Sequence, residues 1–201
     1  MRIGLDFDNT IVCYDNLFYK VAIEQRLIPK SIPASKYAIR EYLQKNNNED
    51  LWTNMQGLVY GLRMMEANAF LGVEKFIEEA QKKGHQIFII SHKTIYPYAG
   101  PKYNLHDSAQ NWINKILQSS RNKINLEKSI YFELTKENKI KKISELECDV
   151  FIDDLPEILN MPGFLEKTAL ILFDPENLHG NIEKHIVKIK TWDEINDFLL
   201  R

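Results

Sequence analysis

Six apolar runs of strand length recur along the chain, at Ile3 to Phe7, Gln86 to Ile90, Ser129 to Phe132, Asp149 to Ile152, Ala169 to Phe173 and Ile186 to Ile189. Most lack the polar alternation of a half-solvated strand, so they read as strands buried on both faces. Amphipathic helical segments lie between several of them, which favours crossover connections. The expected fold class is α/β: a Rossmann-like, mainly parallel sheet with helices on both faces.

Helix signals support this alternation. Val73, Phe76, Ile77 and Ala80 follow the i, i+3, i+4, i+7 spacing of a buried stripe, with Gly84 placed to end the helix. Asp107 with Gln110 reads as a capping pair ahead of a stripe of Ala109, Trp112, Ile113, Ile116 and Leu117. Thr135 is expected to cap a helix carrying Ile140, Ile143 and Leu146. Thr191 with Glu194 is expected to cap a last helix whose inward residues are Trp192, Ile195, Phe198 and Leu199.

The alternation fails between Tyr14 and Asn68, where helical periodicity appears without a convincing strand. Pro29, Pro33 and the Asn46-Asn47-Asn48 run divide this interval into three or four helices. The expected organisation is therefore a core of residues 1–13 and 69–201, with 14–68 inserted as a small helical cap. Ile95 to His106, holding Pro97, Gly100 and Pro101, reads as a loop leaving the second strand, where substrates are commonly met.

Composition excludes several partner classes. Lys plus Arg number 26 against 28 Asp plus Glu, a formal charge of -2, so nothing draws the chain electrostatically to a nucleic acid polymer or a membrane surface. No apolar stretch approaches the ~20 residues of a membrane span, and the opening Met1-Arg2-Ile3-Gly4-Leu5-Asp6 is too short an apolar run for a signal peptide. Cys13 and Cys148 form neither a disulfide framework nor a zinc spacing. A cytoplasmic protein with a small-molecule partner is expected; its oligomeric state is not encoded in any recognisable pattern.

Four polar stretches follow apolar runs or helix starts, and each taken singly has an ordinary explanation. Asp6-Phe7-Asp8-Asn9-Thr10 closes the first run, and two acids two residues apart at a strand exit can both reach the crevice above the sheet. Its bland reading is a polar turn capping local amides. Ser91-His92-Lys93 closes the second run, where Ser91 can donate to phosphate oxygens, and His92 and Lys93 can meet substrate or water. Four lysines fall between Lys136 and Lys142. Such a run is usually a solvated helix face, but Lys139 can point toward the strand ends. Asp153-Asp154 closes the fourth run, where paired carboxylates require a cation or hydrogen bonds to balance them, or else cap the helix starting at Leu155-Pro156-Glu157. Oxygen ligands from Asp6, the Asp8 backbone and the Asp153-Asp154 pair suit Mg²⁺.

Taken together, from Ile3 to about Glu157, these stretches resemble the ordered motifs of the haloacid dehalogenase superfamily of phosphotransferases: Asp-x-Asp-x-Thr, Ser or Thr, Lys, and an acidic pair. The resemblance implies Asp6 as nucleophile, Asp8 as general acid/base, and Thr10 and Ser91 as supports for the aspartate loop and phosphoryl group. It further implies Lys139 as the stabilising cation and Asp154 as a magnesium ligand, with Asp153 and Glu157 beside it. Asn9 stands where Gly is commoner in that family. With Asn9, His92 and Lys93 as candidate substrate contacts, the expected activity is Mg²⁺-dependent hydrolysis of a nucleotide or sugar phosphomonoester through an aspartyl-phosphate. Two alternatives remain open: a phospho-acceptor signalling module, and a catalytically silent member that binds a ligand or partner. Receiver domains place the acidic pair before the acceptor aspartate, the reverse of the order here. Arg40, Arg63, Lys102 and His106 are further candidate contacts for an anionic substrate, and Tyr96, Tyr98 and Tyr103 for a sugar or base.

Overall fold

The computed structural model describes residues 1–118 and 124–201. The chain divides into two compact units, one formed by Met1–Val12, Ala69–Lys93 and Ile116–Arg201, the other by Cys13–Asn68 and Thr94–Lys115.

The first unit is built on a six-stranded sheet whose strands are β1 (Arg2–Leu5), β4 (Gln86–His92), β5 (Ile130–Glu133), β6 (Val150–Asp153), β7 (Ala169–Phe173) and β8 (Ile186–Ile189). Two short strands, β2 (Val12–Cys13) and β3 (Asn68–Ala69), form a separate two-stranded sheet. In the main sheet the order is β5-β4-β1-β6-β7-β8, and every pairing is parallel. The chain thus winds outward in one direction from β1, then returns to its other side at β6. Parallel neighbours require crossovers, and burial of both faces accounts for the continuous apolar runs.

Helices α4 (Val73–Lys82), α6 (Lys136–Glu145), α7 (Pro156–Leu159) and α8 (Trp192–Leu200) belong to this unit. On one face Phe88, Ile90, Phe151, Leu170 and Leu172 pack with Ile140 and Ile143 of α6 and Ile158 and Leu159 of α7. The alternate residues point to the opposite face, where the Phe173 and Phe76 rings lie 5.5 and 5.2 Å from the Trp192 ring. That face therefore carries α4 and α8. Gly84 ends α4 with φ +79°, a left-handed turn that glycine adopts without steric cost. Thr135 caps α6 by accepting from the Asn138 amide, and Thr191 caps α8 by accepting from that of Glu194. Along α8, however, Phe198 is 55% exposed while Leu200 is buried, so the inward face differs from the expected one at its last turn.

The second unit contains α1 (Asp15–Glu24), α2 (Lys36–Lys45), α3 (Glu49–Tyr60), a 3₁₀ turn at Met64–Glu66 and α5 (Leu105–Trp112). Phe18 stacks on Trp52 at 4.9 Å, and the Asp15 carboxylate accepts from the Lys36 amide at the start of α2. The expected insertion stopped at Asn68, whereas this unit also takes in Thr94–Lys115. Physical reasons are local. A Cβ on Gly57 of α3 would stand 2.8 Å from the Ala99 carbonyl, so the glycine lets the second segment lie directly on α3. Trp112 donates its indole N–H to the Ala67 carbonyl at 2.9 Å. The cap of α5 is Asn104, whose side chain accepts from the His106 and Asp107 amides, rather than Asp107. Helix α5 then passes into a π-helical turn at Ile113–Leu117.

No helix among the described residues is long and apolar enough to cross a membrane.

Candidate active site

In an open parallel sheet, ligands gather beyond the carboxyl ends of the strands where the winding direction reverses. Here that point lies between β1 and β6, whose Leu5 and Ile152 are in register. The next residues are Asp6 and Asp153, so two carboxylates reach the switch point at one level. Ile89 of β4 pairs with Leu5, which places Ser91 one step further along the same edge.

After Asp6, whose amide donates to the Ile152 carbonyl, the chain turns back on itself: the Ile11 and Val12 amides both donate to the Phe7 carbonyl. Asn9 sits in this turn at φ +58°, a left-handed conformation that asparagine tolerates better than most residues. That explains how Asn can stand where glycine would be the commoner choice. Thr10 is fully buried; its hydroxyl has no hydrogen-bond partner among the described residues, while its carbonyl accepts from the Trp192 indole N–H at 3.1 Å. The turn is thus held through the Thr10 backbone. No sequence signal linked Trp192 to it.

Lys139 rises from the first turns of α6, on the same helical face as Ile140 and Ile143. Its ammonium lies 2.6 Å from Asp6 Oδ1 and 2.6 Å from Asp153 Oδ2, and 5.4 Å from the centre of the Phe151 ring. Lys136, the competing lysine, has a side chain 41% exposed that pairs with Glu157 at 3.0 Å. Burial works against the Lys139 charge, but Asp153 and Asp6 outweigh it and hold the ammonium above its ordinary pKa. Burial pushes the Asp6 carboxyl up to about 6 against the pull of Lys139, and the charges of Asp153 and Asp8 add to the rise.

Ligand-type oxygens of Asp6, Asp153 and Asp154 lie within 4.8 Å of one another. Three carboxylates against one ammonium leave negative charge in excess in a mostly buried pocket. An all-oxygen acidic set of this kind fits a hard divalent cation. The two members of the acidic pair differ: Asp153 bonds Lys139 through Oδ2 and accepts the Leu155 amide through Oδ1, whereas Asp154 is half-buried.

At the end of β4, Ser91 and Lys93 are buried. His92 directs Nε2 to the Leu134 carbonyl at 3.2 Å, and burial holds its imidazole below the ordinary pKa. Lys93 pairs with Asp8 Oδ2 at 2.7 Å. The structure therefore gathers Asp6, Lys139, Asp153 and Asp154 into one cluster and joins Asp8 to Lys93. Arg63, an expected anion contact, instead forms ion pairs with Glu24 and Glu66. Tyr103 packs on Gly61, while Tyr98 is 85% exposed.

Neither a protein-family model nor a curated protein matches the sequence. Solved structures do match along nearly the whole chain. The putative HAD-hydrolase YfnB from Bacillus subtilis, bound to magnesium, is 15% identical with a TM-score of 0.58, covering 100% of this chain and 99% of that one. A HAD family hydrolase from Deinococcus radiodurans, with bound phosphate and sodium, is 10% identical with a TM-score of 0.55, covering 98% and 94%. A Had-superfamily hydrolase from Ehrlichia chaffeensis is 16% identical with a TM-score of 0.52, covering 98% and 94%. The chain has the Rossmann-like fold of haloacid dehalogenase superfamily hydrolases.

Proposed function

We propose that this chain is a haloacid dehalogenase superfamily hydrolase that cleaves small phosphomonoesters through an aspartyl-phosphate, with Mg²⁺ as cofactor. The observation that carries this reading is Lys139 fixed between Asp6 and Asp153 at 2.6 Å each, with Asp154 completing an acidic cluster at the switch point of the sheet. The magnesium in one structural relative and the phosphate in another agree with the proposed cofactor and substrate class.

In the proposed reaction a carboxylate oxygen of Asp6 attacks phosphorus. As the bond to the leaving oxygen breaks, Asp8 delivers a proton to it. Water then attacks the aspartyl-phosphate, Asp8 takes its proton, and phosphate leaves with Asp6 restored. Lys139 offsets charge on the phosphoryl oxygens and keeps Asp6 aimed. Asp6 and Asp154, with the Asp8 backbone carbonyl, are assigned as the residues that hold Mg²⁺; when bound, the ion supplies positive charge toward the phosphoryl group. Asp153, whose oxygens already serve Lys139 and the Leu155 amide, is assigned to fixing the cluster. A second acid at Asp8 favours phosphoester hydrolysis over dehalogenation, which needs no such proton donor at the leaving group.

Substrate selection is assigned to the helical unit, acting as the cap. Phosphate release from p-nitrophenyl phosphate and from a library of sugar and nucleotide phosphates, with and without Mg²⁺, tests the reading. Activity that requires Mg²⁺ and vanishes in Asp6→Asn is expected; undiminished turnover in that variant rejects the nucleophile. A phosphoenzyme surviving for minutes would favour a phospho-acceptor role, and tight ligand binding without turnover a silent one.

A further inference from the structure

Lys93 was expected to touch substrate, and its surroundings suggest a different use. Its amide donates to the Glu133 carbonyl at 2.9 Å, which fixes the backbone to the end of β5. Its ammonium lies 2.7 Å from Asp8 Oδ2 and 5.6 Å from the centre of the Phe7 ring. The Phe7 ring in turn meets Phe132 edge-on at 5.9 Å. The side chain is only 3% exposed, whereas that of Asp8 keeps 22%. The cation is thus enclosed by protein, while its partner keeps part of its surface in solvent.

We propose that Lys93 is a positioning residue that fixes the Asp8 carboxylate for proton transfer, and that it does not bind the transferred phosphoryl group. The inference rests on the reading of Asp8 as the acid/base. An aspartate has a broad preference about its second side-chain torsion, so the carboxylate alone has no fixed aim. Asp8 must occupy one place twice, first beside the leaving oxygen and later beside the attacking water. A buried ammonium, anchored by β5 through its own backbone and by the Phe7 ring, supplies that aim without entering the proton balance: its own protons stay on nitrogen throughout.

The test compares the full-length protein with Lys93→Met and Lys93→Arg on two esters. β-Glycerol phosphate has an alkoxide leaving group that needs a proton; p-nitrophenolate leaves without one. For Lys93→Met, kcat on the alkyl ester is expected to fall roughly 10- to 100-fold, less than the ~10²–10⁴-fold that acid–base catalysis contributes in full, because Asp8 itself is retained. On p-nitrophenyl phosphate the first turnover should remain fast, followed by a slow steady state as water attack loses its base. KM for the alkyl ester and inhibition by inorganic phosphate should change less than about threefold, since ground-state binding is untouched, while on p-nitrophenyl phosphate KM should fall together with kcat. Lys93→Arg should recover part of the loss. Equal losses on both esters with matching weakening of phosphate inhibition would overturn the proposal, making Lys93 a phosphoryl contact.

A readout independent of turnover separates this proposal from the phosphatase reading. In crystals of Lys93→Met, or of Lys93→Arg should the first variant fail to fold, Asp8 is expected to occupy altered or multiple side-chain conformers. An Asp8 carboxylate placed as in the unmodified chain in Lys93→Met, or in the absence of an ion pair in Lys93→Arg, overturns the positioning role. Failure of the unmodified chain to hydrolyse any phosphoester would reject the phosphatase reading instead.

Discussion

The ring of Phe151 occupies the volume that a side chain on Gly4 would need: a Cβ there would stand 2.7 Å from the ring carbon Cδ2 and 3.1 Å from Cys148 Sγ. The absence of a side chain at one central strand position lets a neighbouring strand lay an aromatic ring across it. That ring lies beneath Lys139, so the glycine helps set the height of the ammonium that bridges Asp6 and Asp153.

Gly4→Ala should therefore act as an overpacking substitution in a closed core, costing about 1–3 kcal/mol. Urea unfolding checks this, and Phe151→Leu in the same chain should recover part of the loss. Activity should fall further than stability alone explains, because displacing the ring disturbs Lys139.

The acidic pair should separate by substitution. Asp153→Asn removes one of two buried partners of Lys139 and leaves Asp6 as the other, so it should destabilise the metal-free protein by less than the ~3–5 kcal/mol of leaving a buried charge unpaired. Asp154→Asn removes one like charge from the acidic cluster, so it should cost the metal-free protein less stability than Asp153→Asn, yet sharply reduce the rise in Tm on adding Mg²⁺. Thermal unfolding of each variant in EDTA and in excess Mg²⁺ measures both effects. Equal Mg²⁺ responses in the two variants would contradict the assignment of Asp154 as the direct ligand.

In the helical unit, hydrogen bonds from Arg63 and then Lys20 pull the Glu66 carboxyl from its usual 4.5 down to about 2. A depressed folded-state pKa contributes stability that is fully present above the unfolded value and is lost as pH falls through the folded one. Glu66→Gln should thus lower stability at neutral pH, by about 0.5–1 kcal/mol after solvent screening of an exposed network. The difference between the two proteins should narrow from about pH 4.5 toward 2, and shrink with added salt. Thermal melts across that range decide it; a difference independent of pH would assign the effect to packing.

The sheet was legible because both-face burial leaves uninterrupted apolar runs, and every such run became a strand of it. The acids at its edge were legible because Asp6 lies at the end of the first of those runs and Asp153-Asp154 directly follows the fourth. Choosing among the lysines required three dimensions: Lys139 and Lys136 differ by less than one helical turn, and only the direction of α6 separates burial from solvent. The Asp8–Lys93 pairing was hidden for a related reason, since sequence does not say which strands are neighbours. That Thr94–Lys115 groups with the helical unit is not legible either, because an apolar stripe identifies a buried helix face without identifying its partner. Asn104 and Asp107 both suit a helix start, and the difference lies in which backbone first leaves the extended region.

Trp192 offers the sharpest case of support arriving from far along the chain. Capped by Thr191 at the start of α8, it packs against Phe76 and Phe173 and donates its indole N–H to the Thr10 carbonyl. Trp192→Phe keeps an aromatic ring but leaves that buried carbonyl without this donor. Loss of one partner from a buried hydrogen bond costs about 1–3 kcal/mol, and here the loss falls on the turn that carries Asp6 and Asp8. Denaturant unfolding should show a destabilisation in that range. Under conditions where the variant remains fully folded, kcat should fall with KM little changed, because misplacing Asp8 affects proton transfer more than ground-state binding. Full activity in folded Trp192→Phe would show that the other bonds of the turn, from the Ile11 and Val12 amides to Phe7, suffice to hold it.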